Sequence, residues 1–165
     1  MSRIAIAAAI SLVAVTATWA DDLKPGWSVQ FHQDTFDRTI VPLAMVSEEG
    51  DDFDKASLGA LCSGEGDVII FFQPERFMFF DTSAKLALRS GDAVTEYNFV
   101  AEKLPAFGNL LAVDPEQSQK IMILFADAGG ADLAFRTDEK NGLISSIGAG
   151  KAFEIVKANC PVLPR

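Results

Sequence analysis

Residues 56–72, Ala-Ser-Leu-Gly-Ala-Leu-Cys-Ser-Gly-Glu-Gly-Asp-Val-Ile-Ile-Phe-Phe, decide the fold. Two short apolar runs, 56–62 and 67–72, flank a small polar turn with Gly64 and Gly66. The second run is β-branched and aromatic, and neither run is long enough for a helix. Together they predict an antiparallel hairpin. Phe71 and Phe72 are adjacent, so on a strand their rings leave opposite faces. Either both faces are covered, or one ring is exposed as a binding patch. Large exposed apolar patches are rare on soluble monomers, which favours two covered faces.

Strands are also expected on the N-terminal side of this hairpin. Residues 27–31 alternate, with Trp27, Val29 and Phe31 on one side and Ser28 and Gln30 on the other. Residues 33–38 form a polar turn, and 39–47 a second strand, in which Pro42 suggests an edge or a bulge. Residues 48–54 are an acidic loop around Gly50.

On the C-terminal side, Pro74 breaks the chain before an aromatic segment at 77–80. Residues 85–89 and 94–100 read as strands joined by a turn at 90–92, and Pro105 and Gly108 mark a loop. Asp114-Pro115 is a helix start, an N-cap acceptor followed by proline at the first helical position. Ile121, Leu124 and Phe125 recur at helical spacing until Gly129-Gly130. Residues 131–137 and 143–147 are strand-like around a turn at 138–142, and a second helix covers 149–159 before Cys160-Pro161. The expected fold is α+β: a mostly antiparallel, sandwich-like sheet with about two helices in the C-terminal half.

The N-terminus carries an address. A basic start at Arg3, an uncharged apolar run over 4–17 and small residues around Ala20 have the layout of a secretory signal peptide, cleaved after Ala20. The apolar run is short for a bilayer of about 30 Å of hydrocarbon. The expected organisation is therefore a cleaved segment 1–20 and a single domain 21–165, periplasmic or secreted, without membrane insertion after cleavage.

The chain has 14 Lys+Arg against 23 Asp+Glu, a formal charge of −9. Without Arg3 the balance is 13 against 23, or −10. Such a surface repels phosphates and disfavours nucleic acid as a partner. Cys62 and Cys160 are the two cysteines. In an exported protein an even count reads as a disulfide. The competing reading, free thiols or a redox pair, lacks the C-x-x-C spacing of redox motifs. With one histidine, His32, the chain has too few ligands for a zinc site.

Five elements occur in order: Trp27 opening a strand in Gly26-Trp27-Ser28-Val29; a strand ending in Leu61-Cys62; the strand end Leu88-Arg89-Ser90-Gly91-Asp92; a helix running into a strand that ends at Arg136; and the step 144–148 leading into a terminal helix closed by Cys160. In these the chain resembles the type VI secretion-associated VasI-like family of small exported proteins. The resemblance covers nearly all of 21–165. It strengthens the Cys62–Cys160 pairing, implies an envelope setting and assigns no catalytic residue.

Candidate chemistry is sparse. His32 has no G-x-S-x-G nucleophile elbow to serve. The acids of the 48–54 loop do not match the D-x-[DN]-x-[DN]-G calcium pattern. Glu65 with Asp67, or Glu96 with Glu102, stand as carboxylate pairs without further support. No catalytic residue, cofactor or metal is therefore assigned. The expected role is binding to an envelope protein of unknown identity, through a patch of Phe77, Phe79 and Phe80 with Glu48, Glu49, Asp51 and Asp52. The alternative is an inhibitor of a basic hydrolase such as lysozyme, presented by the turn at 63–67.

Overall fold

The computed structural model describes residues 26–33, 38–49, 55–63, 65–74, 82–104 and 107–160. The signal segment 1–20 lies outside them. Nine strands and two helices occur among the described residues: β1 (Ser28–Gln33), β2 (Ile40–Ser47), β3 (Ser57–Cys62), β4 (Val68–Gln73), β5 (Ser83–Ser90), β6 (Ala93–Leu104), β7 (Gly108–Ala112), α1 (Pro115–Asp127), β8 (Asp132–Arg136), β9 (Asn141–Ser145) and α2 (Ala149–Ala158). The strands form one sheet in the order β1-β2-β3-β4-β7-β6-β5-β8-β9, antiparallel throughout. This is the mostly antiparallel α+β architecture that the sequence predicts, with both helices in the C-terminal half.

The 56–72 hairpin is its centre. β3 and β4 pair from Ser57–Gln73 to Cys62–Val68. Their turn closes when the Ser63 N–H donates to the Asp67 carbonyl at 2.7 Å, while Ser63 Oγ accepts the N–H groups of Glu65 and Asp67 at 3.3 and 3.1 Å. Gly66 supplies the left-handed φ of +87° that the turn requires. Both faces are covered. Leu58, Ala60, Cys62, Val68, Ile70 and Phe72 join the main core, and Leu61, Ile69 and Phe71 join a second one. Gly59 leaves room for the second core. A Cβ there would collide with the Phe71 ring and lie 2.8 Å from the Ala44 carbonyl oxygen.

The two helices cover the main core. Asp114 caps α1, its carboxylate accepting the Gln117 N–H at 2.8 Å, with Pro115 next to it. That bond holds the Asp114 carboxyl below its ordinary range. Buried Ser118 joins α1 to β4, accepting the Ile70 N–H at 2.8 Å and donating to the Val113 carbonyl at 3.3 Å. β7 meets β4 over only two registered pairs, so this hydroxyl satisfies a backbone donor of β4 beyond that ladder. Trp27 sits between the helices, edge-on to Phe125 at 5.3 Å and to Phe153 at 4.7 Å. The Cys62–Cys160 disulfide ties the end of α2 to β3 at a Cα separation of 5.3 Å. The second core gains Leu104 and Ala112 from β6 and β7, with Phe107 packed against it. Phe107 also reaches His32 of β1, although three strands separate β7 from β1 in the sheet. The helices thus cover one face of the single sheet, and Leu104, Phe107 and Ala112 pack against the second core.

The sheet's ends touch. The Trp27 N–H donates to the Ile147 carbonyl at 2.9 Å and the Glu49 N–H to the Leu143 carbonyl at 3.1 Å, and Glu48 makes an isolated bridge with Ile144.

Three expectations change. The loop assigned around Pro105 and Gly108 contains β7, because Gly108 is a turn residue with φ +77° and Leu110 to Ala112 then pair between β6 and β4. β6 is longer than expected, since its C-terminal half has β7 to pair with. Pro42 lies on an interior strand and not on an edge. It stands one position past Leu43–Leu61, the last β2–β3 pair, so that ladder has already ended there.

Candidate functional site

A concavity lies on the face of β5 and β8 turned away from the helices. Alternation places it there. Leu86, Leu88, Leu133 and Phe135 point into the main core, which leaves Ala87, Arg89, Ala134 and Arg136 on the other face. Ala87 is registered with Arg136 and Arg89 with Ala134, so the two arginines are diagonal neighbours across adjacent strands. Such positions are about 7–8 Å apart. The alanines form a low floor between them. Val94 of β6 flanks Arg89, and Asn141 and Leu143 of β9 flank Arg136 and Ala134. The resulting groove has a volume of about 480 Å³, within the usual range of ligand sites of about 300–1,000 Å³.

Its electrostatics run against the protein's overall charge. Among the described residues neither Arg89 nor Arg136 has an ion-pair partner. Two of the neighbouring acids are engaged elsewhere. Glu96 pairs with Lys85 at 3.4 Å. Glu48 pairs with Lys140 and accepts the Ala56 N–H at 3.3 Å. Asp132 lies two residues from Ala134 on the same strand face, yet makes no ion pair with Arg89. Val94 and Leu143 remain 57% and 44% exposed beside the guanidinium groups, so the groove offers apolar area as well as charge.

A second feature is the rigid turn of β3 and β4. Asp67 and Glu65 project beside the disulfide, and Cys160 Sγ lies 4.0 Å from the Asp67 carbonyl oxygen. A groove of about 340 Å³ runs from Asp67 to Pro115 and Glu116 at the start of α1 and to Lys157 near the end of α2.

Of the residues expected to form a partner patch, Phe77, Phe79, Phe80, Asp51 and Asp52 lie outside the described residues. Glu48 and Glu49 are described and stand at the seam where the sheet's ends touch. The Glu48 carboxylate is partly buried and engaged with Lys140, and Glu49 is exposed. Cys62 and Cys160 are joined as expected. His32 is exposed at the end of β1 with its ring against Phe107. Glu96 and Glu102 are six residues apart on β6, and Glu96 is taken by Lys85. Among the described residues no group of three or more His, Cys, Asp or Glu is placed to hold a metal ion, and no helix is long and apolar enough to cross a membrane.

Sequence reasoning did not single out the Arg89–Arg136 groove. A signal for it exists in the twin triplets Ala87-Leu88-Arg89 and Ala134-Phe135-Arg136. Each reads small-apolar-basic, which on a half-buried strand puts an alanine and an arginine on the open face.

The chain matches no family model, no curated protein and no solved structure.

Proposed function

We propose that this chain is an exported, non-catalytic envelope protein that works by binding another protein. The observation that carries the reading is the pair of arginines without acid partners, set beside exposed Val94 and Leu143 on an open sheet face. Arginine beside apolar area is the composition that concentrates binding energy at interfaces. The disulfide supports export, because such bonds persist in oxidising compartments. Service as an accessory of type VI secretion rests on the five-element resemblance. Of its marked residues, Cys62 is bonded to Cys160, and Arg89 and Arg136 occupy diagonal positions on adjacent strands.

The test is capture of partners from envelope extract by oxidised protein comprising residues 21–165, read by mass spectrometry. Enrichment of secretion-apparatus components supports the accessory role. Absence of any specific protein removes the reading.

A second reading, inhibition of a basic hydrolase, is favoured by the Ser63–Asp67 turn. It is acidic, closed by the Ser63 N–H donating to the Asp67 carbonyl and by Ser63 Oγ accepting the Glu65 and Asp67 N–H groups, and anchored by the adjacent disulfide. Opposite charge would speed its association with a basic enzyme. Lysozyme turbidity assays decide this: no protection at micromolar protein sinks it.

A further inference from the structure

We propose that the Arg89–Arg136 groove receives an extended acidic segment of a partner protein, in which one residue separates two carboxylates and apolar side chains flank them. The inference rests on the binding role proposed above and names what is bound. Its basis is a match of spacings. The two arginines stand on diagonal strand positions, which lie about 7–8 Å apart. In an extended peptide, alternate residues lie about 7 Å apart and project from the same side. An acid-x-acid segment laid across β5 and β8 therefore brings one carboxylate to each arginine.

The chemistry of the groove narrows the ligand further. Each guanidinium presents a planar fork of donors suited to a carboxylate, and charge-assisted bonds of this kind are the strong ones. Ala87 and Ala134 keep the floor low enough for a backbone to pass between the arginines. Val94 and Leu143 stand at the two sides and offer contact to apolar neighbours of the acids. Longer acidic runs are rejected. The chain carries a formal charge of −9. A third or fourth negative charge would meet repulsion where the first two meet attraction.

The experiment uses oxidised protein comprising residues 21–165 and fluorescein-labelled Gly-Val-Asp-Leu-Asp-Val-Gly, read by anisotropy at low ionic strength. Comparison peptides replace both Asp by Asn or insert a second residue between the acids. The acidic peptide should bind saturably. Both comparison peptides, and the variants R89Q and R136Q, should bind at least about tenfold more weakly, as expected for loss of one charge-assisted contact. The two variants should unfold at the wild-type urea midpoint, which separates lost binding from lost folding.

The proposal falls if the Asn peptide binds equally well, if spacing has no effect, or if no binding is seen at millimolar peptide. Competition by inorganic phosphate at equal concentration also overturns it, because the site would then be one for small anions. Envelope capture that persists undiminished in the R89Q/R136Q double variant overturns the groove's role and leaves the binding function standing. Peptide binding without any captured envelope protein supports the groove and removes the function.

Discussion

In β3 and β4 eleven of twelve residues are buried, whereas β5 and β8 bury only the residues that face the helices and the small Ala87 between their arginines. The same period of two operates in both regions. Between β3 and β4 it distributes apolar groups to two cores, and any change is felt on one side or the other. Across β5 and β8 it sends Leu and Phe to the core and leaves a free face that folding does not constrain. Burial is therefore concentrated in the hairpin, and the open face is left free to vary. Substitutions should separate the two.

The largest effect should come from Phe72, which is fully buried in the main core with its ring 5.6 Å from that of Phe99. Phe72→Ala should cost about 3–5 kcal/mol, read from the shift in urea midpoint. A loss below about 1 kcal/mol would mean that the hairpin is not the centre of stability.

Reduction of the disulfide comes next. The bridge closes a loop with a sequence separation of 98. The chain-entropy model assigns such a loop at most about 4.7 kcal/mol, and native bridges commonly contribute about 2–5. Unfolding with and without reductant measures this directly. The bridge fastens α2 to β3, so an unchanged midpoint would show that packing of Phe153 and Val156 already holds the helix.

Asp114→Ala removes the α1 cap and should cost about 1 kcal/mol near neutral pH. The effect should depend on pH. Hydrogen bonding to the Gln117 N–H lowers the folded carboxyl's pKa. Its stabilisation is therefore fully present above the ordinary value of about 4 and is lost as pH falls through the lowered one. Wild type and variant should converge in acid, and parallel pH profiles would contradict this account of the cap.

The smallest effect on stability belongs to the open face. R89Q and R136Q should each change stability by less than about 0.5 kcal/mol, because neither side chain is buried or paired among the described residues. A larger loss would give the arginines a structural role and blur the contrast with the hairpin.

Much of the fold was legible because its signals are local. The 56–72 hairpin, the Asp114-Pro115 helix start and the stop at Gly129-Gly130 each follow from a few adjacent residues. β7 was not legible. Its Gly108 start resembles a loop, and only pairing with β4 and β6 makes Leu110 to Ala112 a strand. Pro42 misled because its position relative to the end of the β2–β3 ladder is a matter of register. The groove was half legible: each Ala-x-Arg triplet can be read alone, but 46 residues lie between Arg89 and Arg136, and nothing local pairs the two strands.

By itself the sequence determined the class of fold and the approximate bounds of most elements, because periodicity and capping act over short range, and it favoured but did not fix a bond between its two cysteines, which the structure joins. The tertiary structure alone decided that β5 lies beside β8, with Ala87 opposite Arg136. That adjacency is a choice of partner strand, made by packing Leu86, Leu88, Leu133 and Phe135 into one core. The diagonal arginine pair on the opposite face is its consequence.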